Sequence, residues 1–279
     1  MIMPNEKIID LDLEKIIADK NPKLLNIIPG FFMRYLKRIL HIKELNEMLS
    51  LSKDEGFEGV EFAEKVLDKL QVSYEIHNKY SLDKSKRYIF VSNHPLGGLD
   101  GLIHIASIGK IFGDIKFVVR DELLNIAPLE SVFIPINKYG KMNNNYANRI
   151  NNAFKSDSQI LFFPAGLCSR LNKGKIKDLD WKKTFINKAK EYDRDIVPIY
   201  FEGRNSMFFY RLAKLRKFLH IKFNIETFYL VNEMFKQKNS KFDIYYDKPI
   251  KSSSITTDHS LREWAQIIKN KVYTIKSDK

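Results

Sequence analysis

Cysteine occurs once, at Cys168, which excludes an internal disulfide and any metal site built from several thiolates. That usage fits a reducing compartment, and the cytoplasm is the expected location. Glycine (12) and proline (9) are sparse, and no low-complexity linker or internal repeat is present. No uninterrupted apolar run reaches the roughly 18 residues that a membrane-crossing helix needs. The segment Met1-Ile-Met-Pro-Asn-Glu-Lys7 has no apolar core of signal-peptide type. A protein that is soluble, or peripheral on a membrane, is expected. Acidic residues are also in deficit: 34 Asp and Glu face 47 Lys and Arg, a net charge of +13. The surplus favours anionic partners such as phospholipid head groups, an acidic protein or nucleic acid. No aromatic RNA-recognition block and no helix-turn-helix signature accompanies it, and the charge is spread along the chain, so nucleic acid is not the expected partner.

What is present suffices for a large core. Of 279 residues, 44% are hydrophobic and 13% aromatic. Residues 1–72 read as an N-terminal helical segment. Within it, Phe32, Tyr35, Leu36, Ile39 and Leu40 recur at helical spacing with Arg34, Lys37 and Arg38 between them. Such a helix fits a membrane interface or an apolar face docked on the main domain. From about residue 73 to 279 the period changes. Short apolar strands alternate with helical stretches: strands near 72–76, 87–92, 116–119, 132–137, 159–163, 196–202, 225–229 and 242–246, with helices from about 101, 144, 181 and 208. The alternation predicts an α/β domain with a mixed, mostly parallel sheet flanked by helices. In such folds function sits in the loops beyond the carboxyl ends of the strands.

Four stretches fall at predicted strand ends. The first, Val91-Ser-Asn-His-Pro-Leu-Gly-Gly-Leu-Asp-Gly101, follows an apolar strand with a tight loop that projects His94 and starts a helix near Asp100. A carboxylate on one imidazole nitrogen fixes the tautomer and leaves the other free to take a proton from a hydroxyl. The residues alone fit a catalytic base and a satisfied structural histidine equally. The second stretch runs from Val119 to Lys138, with Arg120 and Lys138 at strand ends as candidates for an anionic group. The third is Leu161-Phe-Phe-Pro-Ala-Gly-Leu-Cys-Ser-Arg170, and the fourth Ile196-Val-Pro-Ile-Tyr-Phe-Glu-Gly-Arg204. A basic stretch after it, Phe208 to Lys222, sets Leu212, Leu215, Phe218 and Leu219 near one face. It fits either a surface for anionic lipid or acyl carrier protein, or a helix packed on the sheet.

In this order the four stretches resemble the blocks of the glycerolipid acyltransferase superfamily, which includes the lysophosphatidic acid acyltransferases. Asn93-His94 through Asp100 resembles the catalytic His-x4-Asp block, Phe133-Ile-Pro-Ile-Asn-Lys138 the second, Phe163-Pro-Ala-Gly-Leu-Cys-Ser-Arg170 the third, and Val197-Pro-Ile the fourth. The pattern is most similar to a bacterial branch called putative hemolysins, which includes O-acyltransferases that complete acylated amino-acid lipids such as glycine lipids. The spacing here is His-x5-Asp, one residue longer, and Gly97-Gly98 is placed to absorb the addition as a bulge. Ala165 stands where the family has Glu, Leu167 where it has Thr, Cys168 where it has Arg, and Asn137-Lys138 where it has Asp-Arg. These departures fall in blocks that bind the glycerol phosphate acceptor in the family.

The resemblance implies acyl transfer from a thioester, on acyl carrier protein or coenzyme A, to the hydroxyl of a lyso-lipid. The acceptor would be a lysophospholipid or an acylated amino-acid lipid, and the site would be peripheral on the inner face of the cell membrane. His94 would be the general base and Asp100 its orienting carboxylate, with donors near the loop stabilising the oxyanion. Arg120, Asn137, Lys138, Pro164, Gly166, Ser169 and Arg170 would bind substrate. The thioester is a consumed substrate, so no cofactor and no metal is expected. Rival readings are Cys168 as an acylated nucleophile activated by His94, a lipid thioesterase, and a non-catalytic lipid- or nucleic-acid-binding protein.

Overall fold

The computed structural model describes residues 10–78, 80–120, 123–124, 126–135 and 144–276. Five helices come first: α1 (Leu13–Lys20), α2 (Pro22–Ile27), α3 (Gly30–Ile39), α4 (Ile42–Glu55) and α5 (Gly59–Leu70). Asp12 caps α1 by accepting from the Lys15 amide, and Gly56 ends α4 in the left-handed region at φ +78°. Strands and helices then alternate: β1 (Ser73–Asn78), β2 (Tyr88–Ser92), α6 (Leu99–Phe112), β3 (Ile115–Val119), β4 (Phe133–Pro135), α7 (Asn144–Lys155), β5 (Gln159–Phe162), β6 (Arg170–Asn172), β7 (Lys175–Lys177), α8 (Thr184–Glu191), β8 (Asp195–Glu202), α9 (Met207–Phe218), α10 (Leu230–Lys236), β9 (Lys241–Tyr246) and α11 (Leu261–Thr274).

Seven strands form one sheet in the order β1-β9-β8-β2-β5-β3-β4, and β6 and β7 form a separate hairpin. All pairings in the large sheet are parallel except β8 with β9, so the sheet is mixed and mostly parallel, as the alternation predicts. Central β2 is buried at every position. Tyr88 and Phe90 point into a core shared with α5 and α6, and Ile89 and Val91 into one shared with α7, α8 and α11. Burial on both faces is why these strands read as continuous apolar runs rather than alternating ones.

One expected strand is not a strand. Residues 225–229 form a 3-10 turn, in which Thr227 Oγ1 donates to the Asn224 carbonyl at 2.6 Å. Its one charged residue, Glu226, is fully buried and paired with two arginines.

Candidate active site

The parallel pairing of β8, β2, β5, β3 and β4 brings their carboxyl ends to one edge of the sheet. The described parts of the four stretches singled out from the sequence therefore meet there. His94 follows β2, and its Nδ1 lies 3.0 Å from Asp100 Oδ2 in the first turn of α6. An ionised carboxylate can only accept, so Nδ1 carries the proton, and in the neutral form of the ring Nε2 holds the lone pair. The His94 side chain is 14% exposed and the Asp100 side chain fully buried. Burial pushes the Asp100 carboxyl up. The adjacent His94 charge, its hydrogen bond and the Leu96 amide outweigh that and hold it below the ordinary carboxylate value.

Between His94 and Asp100 the backbone turns at Gly97, which takes φ +92°, a conformation L side chains rarely adopt. This turns the Leu96 and Gly97 amides onto Asp100 Oδ2 at 2.9 and 3.4 Å, while Oδ1 accepts from the Gly101 amide at 3.0 Å. Phe163, just past β5, stacks on the imidazole with ring centroids 3.9 Å apart and planes 17° from parallel. Behind the pair, His104 is fully buried, with Nε2 3.1 Å from Ser92 Oγ. Burial, reinforced by the His94 charge, lowers its pKa to about 4 against the opposing pull of Asp100, so it is neutral.

Asp178, in the segment after β7, locks two of these loops together. It is 5% exposed, and it accepts from the His94 amide at 3.2 Å, Ser169 Oγ at 2.6 Å and Trp181 Nε1 at 2.9 Å. The Ser169 amide in turn donates to the His94 carbonyl at 2.7 Å. Burial raises the Asp178 carboxyl, and these donors partly offset it. Nothing in the polar run Lys177-Asp-Leu-Asp180 marked it in advance, because its role depends on chain brought in from both neighbouring loops.

The other predicted site residues divide. Ser169 is buried and held by Asp178. Pro164 and Gly166 form a turn beside Phe163, closed by the Gly166 amide on the Phe163 carbonyl at 3.0 Å. Arg170 Nη1 donates to the Cys168 carbonyl at 2.8 Å, and Nη2 pairs with Glu226 at 3.1 Å; Arg216 reaches the same carboxylate at 2.9 Å. Glu226 thus engages the cation expected to face substrate while sharing its single negative charge with Arg216, and it was missed because its segment read as a strand. Arg120 is exposed directly after β3. Asn137 and Lys138 lie outside the described residues. The Cys168 thiol is buried, and burial raises its pKa against the lowering pull of Arg170, so it is a protonated packing group rather than a ready nucleophile. Elsewhere, on the β9–β1 side of the sheet, Glu75, His77 and Asp243 bring candidate metal-ligand atoms within 4.8 Å. Those groups are already paired: Lys241 holds Glu75 at 2.6 Å, and His77 Nε2 lies 2.6 Å from Asp243.

A basic, apolar surface flanks the site. The buried face of α9 is Phe209, Tyr210 and Ala213, which leaves Leu215, Phe218 and Leu219 outside with Phe218 76% exposed. On α3, Phe31 is 68% exposed and Phe32 and Tyr35 are also exposed. The two elements meet through Tyr229, whose hydroxyl lies 2.6 Å from that of Tyr35 and whose ring packs edge-on to Phe208 at 5.0 Å. No helix among the described residues is long and apolar enough to cross a membrane.

An acyltransferase family profile matches residues 15–279. The lyso-glycine lipid O-acyltransferase of Bacteroides thetaiotaomicron is 42% identical over 274 residues, spanning 98% of this chain and 100% of its own length. That of Phocaeicola vulgatus is 42% identical over 274 residues, 98% of each chain. Among solved structures, the 1-acyl-sn-glycerophosphate (LPA) acyltransferase of Thermotoga maritima is 15% identical, with a TM-score of 0.48 over 95% of this chain and 93% of its own.

Proposed function

The chain belongs to the acyltransferase family, and we propose that it moves a fatty acyl group from a thioester to the hydroxyl of a lyso-lipid of the amino-acid type, with His94 as general base. The observation that carries the proposal is the His94–Asp100 pair at 3.0 Å on the carboxyl edge of a mostly parallel sheet. In this reading Nε2 removes the proton from the acceptor hydroxyl as its oxygen attacks the thioester carbonyl. A new ester bond forms and the carbon–sulfur bond breaks. The proton on Nε2 passes to the departing thiolate, and the imidazole returns to its starting state. Asp100, held ionised, stabilises the imidazolium between the two steps. The stacked Phe163 ring fixes the imidazole plane, and the buried amides around Asp100 hold the loop.

The acceptor is proposed to be an acylated amino-acid lipid, of the kind the names of the two bacterial relatives describe. An amide-linked glycine offers a carboxylate and no phosphate, which suits a loop whose arginine is already paired with Glu226. The donor is an acyl carrier protein or coenzyme A thioester. The aromatic and basic surface of α3 and α9 supports peripheral docking on an anionic membrane, on its cytoplasmic side, where the lipid acceptor and the thioester donor are both within reach.

The test supplies purified protein with long-chain acyl thioesters on both carriers and a panel of acceptors that includes lysophosphatidic acid and monoacylated glycine lipid, read by mass spectrometry. A diacylated glycine lipid is the expected product. Release of free fatty acid, unaffected by any acceptor, would make the protein a thioesterase instead.

A further inference from the structure

We propose that Lys182 recognises the head group of the acceptor by pairing its ammonium with a free carboxylate above the Pro164–Gly166 turn. The inference rests on the acyl-transfer reading above and names the group that the same site selects.

The ammonium is placed from two directions. A Cβ added at Gly166 would lie 3.2 Å from Lys182 Nζ, so the ammonium sits against the face of the turn that glycine leaves bare. Its own backbone amide donates to the Pro164 carbonyl at 3.1 Å. The preceding residue, Trp181, is buried with its indole N–H on Asp178 at 2.9 Å, which fixes the root of the side chain. The turn also forms one wall of the His94 site. Phe163 at its start stacks on the imidazole, and Ser169 after it donates to the His94 carbonyl. Gly166 therefore belongs to the loop that contacts the proposed base at both of its ends.

Lys182 is exposed, and among the described residues its ammonium makes no ion pair. Asp180 pairs with Lys269 at 3.6 Å, and Asp178 faces Ser169, Trp181 and the His94 amide. Ala165 at the tip of the turn brings no carboxylate. Arg170 on the same loop is, by contrast, paired with Glu226 at 3.1 Å, which it shares with Arg216. A single compact ammonium holds a carboxylate or a phosphate as a point charge, and of the two it is the carboxylate that the proposed acceptor supplies. An acceptor made from an amide-linked amino acid carries one such carboxylate.

The test measures steady-state kinetics of the wild type, Lys182→Gln and Lys182→Arg with a monoacylated glycine lipid and with its carboxamide. Each acceptor is paired with acyl-coenzyme A and with an acyl-pantetheine donor that lacks the nucleotide phosphates. For the wild type, the KM for the acid should be roughly ten- to hundredfold below that for the carboxamide, the range of one hydrogen bond to a charged group. Lys182→Gln should raise the KM for the acid by that factor while kcat and the KM for the carboxamide stay within about twofold, and Lys182→Arg should recover part of the loss. An unchanged KM for the acid in Lys182→Gln would overturn the carboxylate assignment while acyl transfer stands. A rise confined to the KM for acyl-coenzyme A would place Lys182 on the donor phosphates and equally overturn it. Failure of the wild type to acylate any acceptor would remove the acyl-transfer reading itself.

Discussion

Gly97→Ala tests how the loop accommodates its longer spacing. Gly97 takes φ +92°, and holding an L residue in left-handed backbone costs about 1–2 kcal/mol. A Cβ there would also lie 2.8 Å from Leu230 Cδ2, 3.0 Å from Cδ1 and 3.3 Å from Cγ. The whole branch of Leu230 is engaged, not only its tip, and overpacking of this kind costs about 1–3 kcal/mol. The total is roughly 2–5 kcal/mol, a large share of the 5–15 kcal/mol typical of a folded domain. Urea unfolding of the wild type, Gly97→Ala, Leu230→Ala and the double variant separates the two contributions. The double variant should recover the steric part, seen as a coupling of about 1–3 kcal/mol, and keep the backbone part. Turnover by Gly97→Ala should fall on the order of a hundredfold, because the Leu96 and Gly97 amides that hold Asp100 move with the loop. A Gly97→Ala protein within about 0.5 kcal/mol of wild type, with unchanged turnover, would show that the longer spacing is accommodated elsewhere.

Three further outcomes follow from the same geometry. Asp178→Ala should cost about 3–5 kcal/mol in urea unfolding, since it strands the buried Trp181 N–H and the His94 amide; a loss below 1 kcal/mol would mean that the loops hold together without it. His104 has a folded pKa of about 4 against 6.5 when exposed, so the unfolded chain binds the extra proton between those values. Stability should therefore fall by about 3 kcal/mol as pH drops from 6.5 to 4, and His104→Leu should flatten that slope. Asp100, with its depressed value, supplies stability that is lost only at still lower pH, and parallel slopes for wild type and His104→Leu would contradict the burial argument. Cys168→Ala should keep turnover within about threefold and lose about 1–2 kcal/mol of stability, since the thiol packs against Phe209 and Tyr210; loss of activity in a folded variant would revive the thiol as nucleophile.

The strands that carry the site were legible because they lie at the centre of the sheet. Tyr88–Ser92 and Gln159–Phe162 are buried on both faces, so each appears as an unbroken apolar run ending where the loop begins. Parallel pairing then delivers His94, Phe163 and Arg120 to one edge without further information. Groups whose role depends on distant chain were not legible. Asp178 looks like a loop acid until Ser169 and the His94 amide arrive, and Glu226 mimics the polar half of a strand until Arg170 and Arg216 enclose it. The β6–β7 hairpin did carry a signal. Asn172-Lys-Gly174 supplies two consecutive left-handed residues, Lys173 at φ +46° and Gly174 at φ +76°, the signature of a tight hairpin turn. Its strands are only three residues long, which hid it among longer periodic segments.

His94, oriented by its hydrogen bond to Asp100, is proposed to remove the proton from an acceptor hydroxyl. The most direct test is single-turnover acyl transfer from a labelled thioester to a monoacylated glycine lipid by the wild type, His94→Ala and Asp100→Asn. Transfer should fall by on the order of 10²–10⁴ in both variants, with the acceptor still bound and the fold intact by circular dichroism. Transfer by His94→Ala at the wild-type rate would contradict the account.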